Sequence, residues 1–564
     1  MAEYAPPVLK SRREQMMFPL TEAEIERVRR FGEVRRFAQG AHLARAGEAG
    51  LGMAVLLSGR VKIVRRDGLG AVGQTTEYGK HHFIAEVGQL SGRAAFVDVI
   101  AQTAVEALMV PPERLRGLIT ADAELGERIM RALILRRVGL IEAGTGGPVL
   151  VGPREAAGMA RLQNFLGRNG IPYRLLDPET EPDARALLAS AKPERGELPI
   201  VLSPDGTQLR NPSEHELAAR LGLLPALDPQ RRYDVAVVGA GPAGLATAVY
   251  AASEGLAVVV LEAEAIGGQA GASARIENYL GFPTGITGQA LAGRAFSQAQ
   301  KFGAEIAIGA CVERLVCAET GEFRFKLADG TSVTARTVVI ASGAEYRRPA
   351  FVDRSEMEPN GVHYWASPVE ANLCSGQEVA LVGGGNSAGQ AAVFLASRAS
   401  KVWMLVRRNG LEATMSRYLI DRITAQPDIE LVAGAEVQQL ELDDARALRR
   451  IVWRDKASGR LAERPLRHLF LFIGADPCTS WLEGCVESDP KGFVITGKAA
   501  RPADDEPPFL MTSRDGVFAI GDVRSGSTKR VAAAVGEGAA VIAQIHAWLD
   551  AGAGAAAHVR EAAA

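Results

Sequence analysis

Two stretches of this chain share one grammar: an apolar strand, a glycine turn, a small-residue helix and a second apolar strand that ends on a charge. In YDVAVVGAGPAGLATAVYAASEGLAVVVLEAE, Gly239, Gly241 and Gly244 follow a β-branched run, and Glu262 stands eighteen residues past the last glycine. In VALVGGGNSAGQAAVFLASRASKVWMLVRR, Gly383, Gly385 and Ala388 hold the same places, and Arg407 follows nineteen residues on, with Arg408 beside it. Small residues are required where the backbone turns tightly, where it approaches a pyrophosphate and where helix packs on strand. The repeat therefore demands two doubly wound α/β units, each with a dinucleotide cradle.

The cradles end on opposite charges. A carboxylate such as Glu262 accepts hydrogen bonds from free ribose hydroxyls, whereas an arginine pair engages a 2′-phosphate. The first cradle suits FAD and the second NADPH. Apart from their position, Arg407 and Arg408 read as ordinary solvated surface charges.

At 564 residues the chain has room for three or four domains. Its net charge of −2 leaves no electrostatic footprint for nucleic acid. The N-terminal MAEYAPPVLKSRREQ lacks a signal peptide's apolar core, and the longest apolar runs are broken by charge or sit in strand-helix grammar. A cytoplasmic protein without a membrane segment is expected. The five cysteines, Cys311, Cys317, Cys374, Cys478 and Cys485, contain no CxxC, so neither a disulfide framework nor a metal site is expected.

In chain order, residues 1–17 read as a flexible lead. Residues 18–143 open on a helix capped at Thr21 with Glu24 as capping-box partner, continue as short strands punctuated by Gly40, Gly47 and Gly59, and close on a helix near 121–141. That is the pattern of a β-roll. GTGGPV at 144–149 is a joint, and 148–227 run β-α-β-α-β-β. Residues 228–346 hold the first cradle, 347–472 the second, and 473–550 return to the first unit. The tail 551–564 is low-complexity and expected to be disordered.

Three resemblances refine this reading. HFIAEVGQLSGRAAFVDVIA resembles the phosphate-binding cassette of cyclic-nucleotide-binding domains, with Ala85 where a glycine is usual and a short Glu-to-Arg spacing. It implies that Glu86 takes a ribose hydroxyl and Arg93 a cyclic phosphate, helped by the backbone N–H groups of Ala94 and Ala95. The roll is followed by no evident helix-turn-helix module. The 148–227 segment resembles a thioredoxin or glutaredoxin fold, with Leu198-Pro199 at the cis-proline position, but GPREA at 152–156 replaces its CxxC. Without a thiol there is no dithiol exchange there, and a docking or spacer role is expected.

From Tyr233 to about Leu549 the chain resembles low-molecular-weight thioredoxin reductases: GAGPAG, IGGQ, IENYLGFP, ASGAEYRRP, GGGNSA, VRRNG, FIGADP and GVFAIGDVRSGSTKRVAAAVGEGA follow in the family's order. The resemblance implies a flavoprotein in which an NADPH domain is inserted into an FAD domain, generally a homodimer. It assigns FAD to Gly239, Gly241, Pro242, Ala243, Gly244, Glu262, Gly268, Gln269, Asn278, Gly343, Asp522, Arg530, Val531 and Ala532. It assigns NADPH to Gly383, Gly385, Asn386, Ser387, Arg407 and Arg408, with Glu412 in place of a third phosphate arginine. The overall fold class is multidomain α/β: a β-roll, a thioredoxin-like module and a two-domain flavoprotein.

One departure bears on electron output. The family's redox CxxC lies just before the GGGNSA strand, and here Trp365 and Pro368 occupy the two cysteine positions. Neither side chain exchanges disulfides. Cys374, six residues on, reads as a buried small hydrophobe, and Cys478 and Cys485 flank SWLEG without a recognised redox spacing. No catalytic residue is assigned, because the cofactors carry the hydride chemistry.

The leading expectation is an NADPH-oxidising flavoprotein whose acceptor, a thioredoxin-like protein, a ferredoxin, dioxygen or a small quinone-like molecule, is reached without an internal dithiol. A redox or nucleotide sensor with little turnover is a second reading, and a thioredoxin reductase using non-standard cysteines a third. In the resembled family the NADPH domain rotates relative to the FAD domain, so an N-terminal sensor touching either one could bias that motion.

Overall fold

In a computed structural model, residues 13–562 are described apart from 49, 65–74, 144–146, 155, 226, 318–321, 350–360, 444–445 and 504–506. The first twelve residues of the expected lead and Gly144–Gly146 of the expected joint lie outside the described residues. Residues 13–16 of that lead form a helix, Arg13–Met16, whose Met16 carbonyl accepts a 3.1 Å hydrogen bond from Arg136 Nε. This end of the lead is tied down.

The β-roll consists of two four-stranded antiparallel sheets. One takes the order Glu33–Phe37, Val105–Val110, Met53–Ser58, Phe83–Ile84, and the other His42–Ala44, Asp98–Ala101, Val61–Val64, Thr76–Tyr78. The opening helix Glu22–Arg29 has the full capping box, Thr21 and Glu24 exchanging hydrogen bonds. Helix α1 (Ala123–Ala143) closes the roll, burying Leu125, Ile129, Ala132 and Leu133 on one stripe against Phe83, Leu90 and Leu108.

Next comes a four-stranded sheet in the order Arg174–Leu176, Val149–Val151, Ile200–Leu202, Gln208–Arg210, its first pair parallel and the others antiparallel. Helix α2 (Ala157–Arg168) follows its first strand, and the Leu198–Pro199 peptide bond is cis.

The first dinucleotide unit is built on a seven-stranded sheet centred on β1 (Arg232–Val238), with β2 (Val258–Glu262) parallel to it. Both strands are near-continuous apolar runs because both faces are covered, one by helices and the other by side chains such as Phe325, Trp481 and Val494. Helix α3 (Pro242–Ser253) carries Ala243, Gly244, Ala246, Ala248 and Ala251, small enough for close approach, and α4 (Gly288–Lys301) packs beside it.

A five-stranded parallel sheet then carries the second cradle, with α5 (Pro368–Leu373), β3 (Glu378–Val382), α6 (Asn386–Leu395) and β4 (Lys401–Val406). A two-stranded ribbon, Ala344–Tyr346 against Ala475–Pro477, forms the passage into and out of this unit. Strand Val517–Ala519 then rejoins the first sheet beside Ser332–Ile340.

The chain ends on α7 (Val531–Ala562), so the expected disordered tail is helical to Ala562. Its alanines have the highest helix propensity, and local composition prevails over low complexity. Residues Val531–Ala551 are also long and apolar enough, at mean hydropathy 1.2, to cross a membrane by length and composition. Glu537 and Asp550 interrupt this stretch, as expected of the longest apolar runs. This segment packs on α3, with Val541, Ile542, Ile545 and Leu549 in the core. A Cβ at its Gly538 would meet Ala243 O at 2.5 Å, which explains the glycine.

The cysteines depart from expectation in one respect. Cys317, in strand Val312–Cys317, and Cys485 are disulfide-bonded across 168 residues, their Cα atoms 6.5 Å apart. Spacing along the chain could not reveal a pair brought together by strand and loop.

Candidate functional site

In the first cradle the three glycines have three separate duties. A Cβ at Gly239, whose φ is +106°, would meet Ala341 O at 2.4 Å, and one at Gly244 would meet Gly239 O at 1.9 Å. The first permits the turn and the third the packing of helix on strand. A Cβ at Gly241 would meet nothing nearer than Gly268 Cα at 4.0 Å. This opening sits at the N-terminus of α3, where Gly241 is the N-cap and makes no side-chain capping bond. Unpaired N–H groups and the helix dipole there suit a pyrophosphate.

Glu262, at the end of β2, accepts hydrogen bonds from Ala240 N at 2.7 Å, Glu264 N at 2.8 Å and Ala265 N at 3.1 Å. Burial raises its carboxyl above the usual carboxylate range, opposed by those bonds. Around the same opening Gly521 faces Ala243, so the short helix Gly521–Val523 brings Asp522 to the start of α3, and burial raises its carboxyl too. Gly268 faces Gly241, Gln269 donates its side-chain amide to Ala344 O, and Gly343 O accepts from Cys478 N at 3.1 Å. Val531 opens α7 beside Pro242, whereas Arg530, Ala532 and Asn278 are exposed.

The second cradle repeats this division. A Cβ at Gly383, φ +149°, would meet Phe472 O at 2.6 Å and Ala388 Cβ at 3.0 Å, while one at Gly385 would meet nothing within 4 Å. Gly385 caps α6 without a side-chain capping bond. Asn386 Oδ1 accepts from Ser416 N at 2.7 Å, and Ser387 follows it in the first turn of α6. Arg407 and Arg408, just beyond β4, are exposed and pair with no carboxylate among the described residues. Two unpaired guanidinium groups at a strand end fit a 2′-phosphate.

No thiol stands ready near the former dithiol positions. Trp365 donates its indole N–H to Glu370 Oε1 at 3.0 Å, and Pro368 is the first residue of α5. Cys374 is 0% exposed, and burial pushes its thiol up to about 11; Cys478 is pushed up to about 12 for the same reason. A thiolate is scarce at such values.

The roll's cassette is engaged by its own chain. Glu86 caps the short helix Val87–Ser91 through Gly88 N at 3.0 Å and pairs with Arg137 of α1 at 3.0 Å. Arg93 lies 4.7 Å over the Phe296 ring of α4 with its Nη2 buried and unbonded, and burial and Arg137 pull it down to about 9. Ala95 N donates to Glu48 O at 2.9 Å, and a Cβ at Gly222 would lie 3.4 Å from that of Ala94. Gln300 Nε2 donates to Ser91 Oγ at 2.7 Å. The unbonded guanidinium nitrogen has the chemistry for an anion, yet Phe296 covers it.

Arg137, Phe296, Asn164 and Glu370 have no motif in the sequence that marks them, since each matters through a partner distant along the chain.

A doubly wound unit, a second inserted into it, and two uncapped dinucleotide cradles define a two-dinucleotide oxidoreductase. The chain belongs to the pyridine nucleotide-disulphide oxidoreductase family, whose model matches residues 233–538, and its residues 34–122 match the cyclic nucleotide-binding domain model. It is an NAD(P)H-dependent flavoprotein oxidoreductase, similar to thioredoxin reductases that use FAD and NADPH. It is 32% identical over 319 residues to the thioredoxin reductase of Treponema pallidum, covering 56% of this chain and 97% of that one. It is 30% identical over 315 residues to an alkyl hydroperoxide reductase component of Escherichia coli, covering 56% of this chain and 57% of that protein. The crystal structure of Lactococcus lactis thioredoxin reductase in its FR conformation aligns with a TM-score of 0.51 at 26% identity, covering 56% of this chain and 98% of that one. That of T. acidophilum thioredoxin reductase aligns with a TM-score of 0.51 at 28% identity, covering 57% and 99%.

Proposed function

We propose that this chain oxidises NADPH and delivers the electron pair through FAD to an acceptor reached without an internal dithiol. FAD is held at Gly239, Gly241, Gly244 and Glu262, and NADPH at Gly383, Gly385, Ser387, Arg407 and Arg408. The cofactors supply hydride transfer, while the chain positions them and excludes water. The observation that carries this reading is the pairing of two open cradles with the absence of any accessible thiol at the former dithiol positions. The acceptor is a thioredoxin-like protein, a ferredoxin or a small molecule that takes two electrons. An anaerobic titration tests the reading: NADPH should bleach the visible flavin band within seconds. A protein that is colourless and takes up no added flavin overturns it, and a band that persists in excess NADPH supports a sensor with little turnover.

The sensor reading draws on the cassette. A cyclic nucleotide at Arg93 would displace Phe296, so its binding would be coupled to undocking of the roll from α4. Thioredoxin reduction by non-standard cysteines is disfavoured by the buried, high-pKa thiols of Cys374 and Cys478. A homodimer is supported by an apolar cavity of about 560 Å³ between α3 and α4, lined by Tyr250, Tyr279, Phe282 and Leu291. Leu280, between two of these in sequence, is 92% exposed.

A further inference from the structure

The central module has no thiol in its first loop, yet one turn and a half of its helix touches both dinucleotide units. Toward the second unit, Asn164 Nδ2 donates to Glu370 Oε1 at 2.7 Å, and the Ser367 hydroxyl lies 3.2 Å from Asn164 Oδ1 as its donor. Toward the first, Asn169 Nδ2 donates to Glu264 O at 3.1 Å, and Asn169 Oδ1 accepts from Ile266 N at 3.3 Å. Arg168 Nη2 donates to Gly268 O at 3.0 Å, in the loop that faces Gly241. Asn164 and Arg168, which carry the two sets of contacts, stand four positions apart, one turn of helix.

The contact on the second unit falls on the segment that bears Trp365 and Pro368. Glu370 is 2% exposed and pairs with no cation among the described residues. Its carboxylate is held by Trp365 Nε1, Ser367 N and Oγ, and Asn164 Nδ2, so one of its supports comes from another domain. A buried carboxylate that loses a donor is left with an unmet desolvation cost. Away from the ribbon, the two units also meet through the Arg422–Glu277 ion pair.

We propose that α2 is a bolt, with Asn164 and Glu370 as positioning residues, that holds the two dinucleotide units in one relative orientation so that turnover needs no rotation of the second unit. In the resembled family rotation lets nicotinamide and acceptor take turns at the flavin, and this chain has no CxxC that such a rotation would have to carry there. Swinging the second unit would pull Glu370 and Ser367 away from Asn164 while α2 stays fixed to the loop at 264–268. The bolt deepens the proposed function, because it implies that donor and acceptor use the same cleft in succession.

The test is a distance between the two units in the full chain. Spin labels at Lys326→Cys and Lys456→Cys, in a Cys311→Ser background, report it by pulsed dipolar spectroscopy, with and without NADP⁺. One distance, unmoved by NADP⁺, is expected, and Asn164→Ala should add a second distance holding on the order of a tenth of the molecules. Glu370→Gln, which keeps the shape, should do the same. Two distances in the parent chain whose ratio shifts with NADP⁺ would overturn the bolt, as would a single distance in both variants. Flavin absorbance, read separately, reports whether the first cradle is loaded, so failure of the underlying function is seen independently.

Discussion

Arg137 and Glu86 pair at 3.0 Å inside the β-roll, and the same Arg137 reaches the Gly170 carbonyl of the next module at 3.4 Å. The residue that resemblance gives to a ribose hydroxyl is thus tied to the seam between domains. Beside it, Arg93 lies over Phe296.

If docking and ligand compete for Arg93, weakening the docking strengthens binding. Phe296→Leu keeps most of the volume and removes the ring, whose attraction for the cation is worth about 0.5–2 kcal/mol. Calorimetry with cyclic AMP should show roughly two- to thirtyfold tighter binding in this variant than in the parent chain. Equal affinities would mean that the ring does not compete.

The exposed pair beyond β4 should set the choice of nicotinamide nucleotide. Arg407→Ala and Arg408→Ala should each raise KM for NADPH by roughly ten- to a hundredfold and leave KM for NADH and kcat nearly unchanged, since each removes one charge-assisted contact. A parallel rise in both KM values would place the arginines elsewhere in function.

Gly383 and Gly385 should respond differently to alanine. At Gly385 an added methyl enters open space, so Gly385→Ala should keep its melting temperature yet bind NADPH at least about tenfold more weakly. At Gly383 the methyl meets a carbonyl in a backbone conformation that L-residues rarely adopt, and Gly383→Ala should lose about 1–3 kcal/mol of stability. Melting curves and NADPH titrations separate the two.

Cys374→Ser should retain NADPH-dependent turnover, because the thiol is buried and held protonated. Placing a hydroxyl there should cost about 1–3 kcal/mol of stability. Loss of turnover in a protein that melts normally would give this cysteine a redox role.

Acid should weaken the second unit early. His363 and His468 are stacked with their ring nitrogens 3.1 Å apart, and burial pulls each down to about 4. In the unfolded chain they take up protons near 6.5, so between about pH 6.5 and 4 the unfolded state binds more protons. Stability is full above that window and falls as pH drops through it. Urea unfolding at pH 7 and pH 5 should show the loss, and His468→Phe should reduce it. Carboxylates such as Glu24, held below their usual range, add to the loss only at lower pH.

What was legible in the sequence is what neighbours along the chain enforce. The Thr21–Glu24 capping box spans three residues and is realised as read. So are the two cradles, because strand, turn and helix are contiguous and only small residues can occupy the bends at Gly239 and Gly383. The cis bond at Leu198–Pro199 stands where the resemblance to a thioredoxin fold placed it. The alanine-rich end misled, since low complexity and high helix propensity make opposite predictions there.

The amino-acid order alone determined the fold class, the two glycine cradles and the absence of a CxxC, all being matters of residue type at short spacing. Only the tertiary structure decided that Cys317 joins Cys485, that Phe296 covers Arg93 and that Asn164 supports Glu370 from 206 residues away. Such contacts depend on how separately folded units dock, and a polar side chain buried at a seam leaves no periodicity in the chain to mark it.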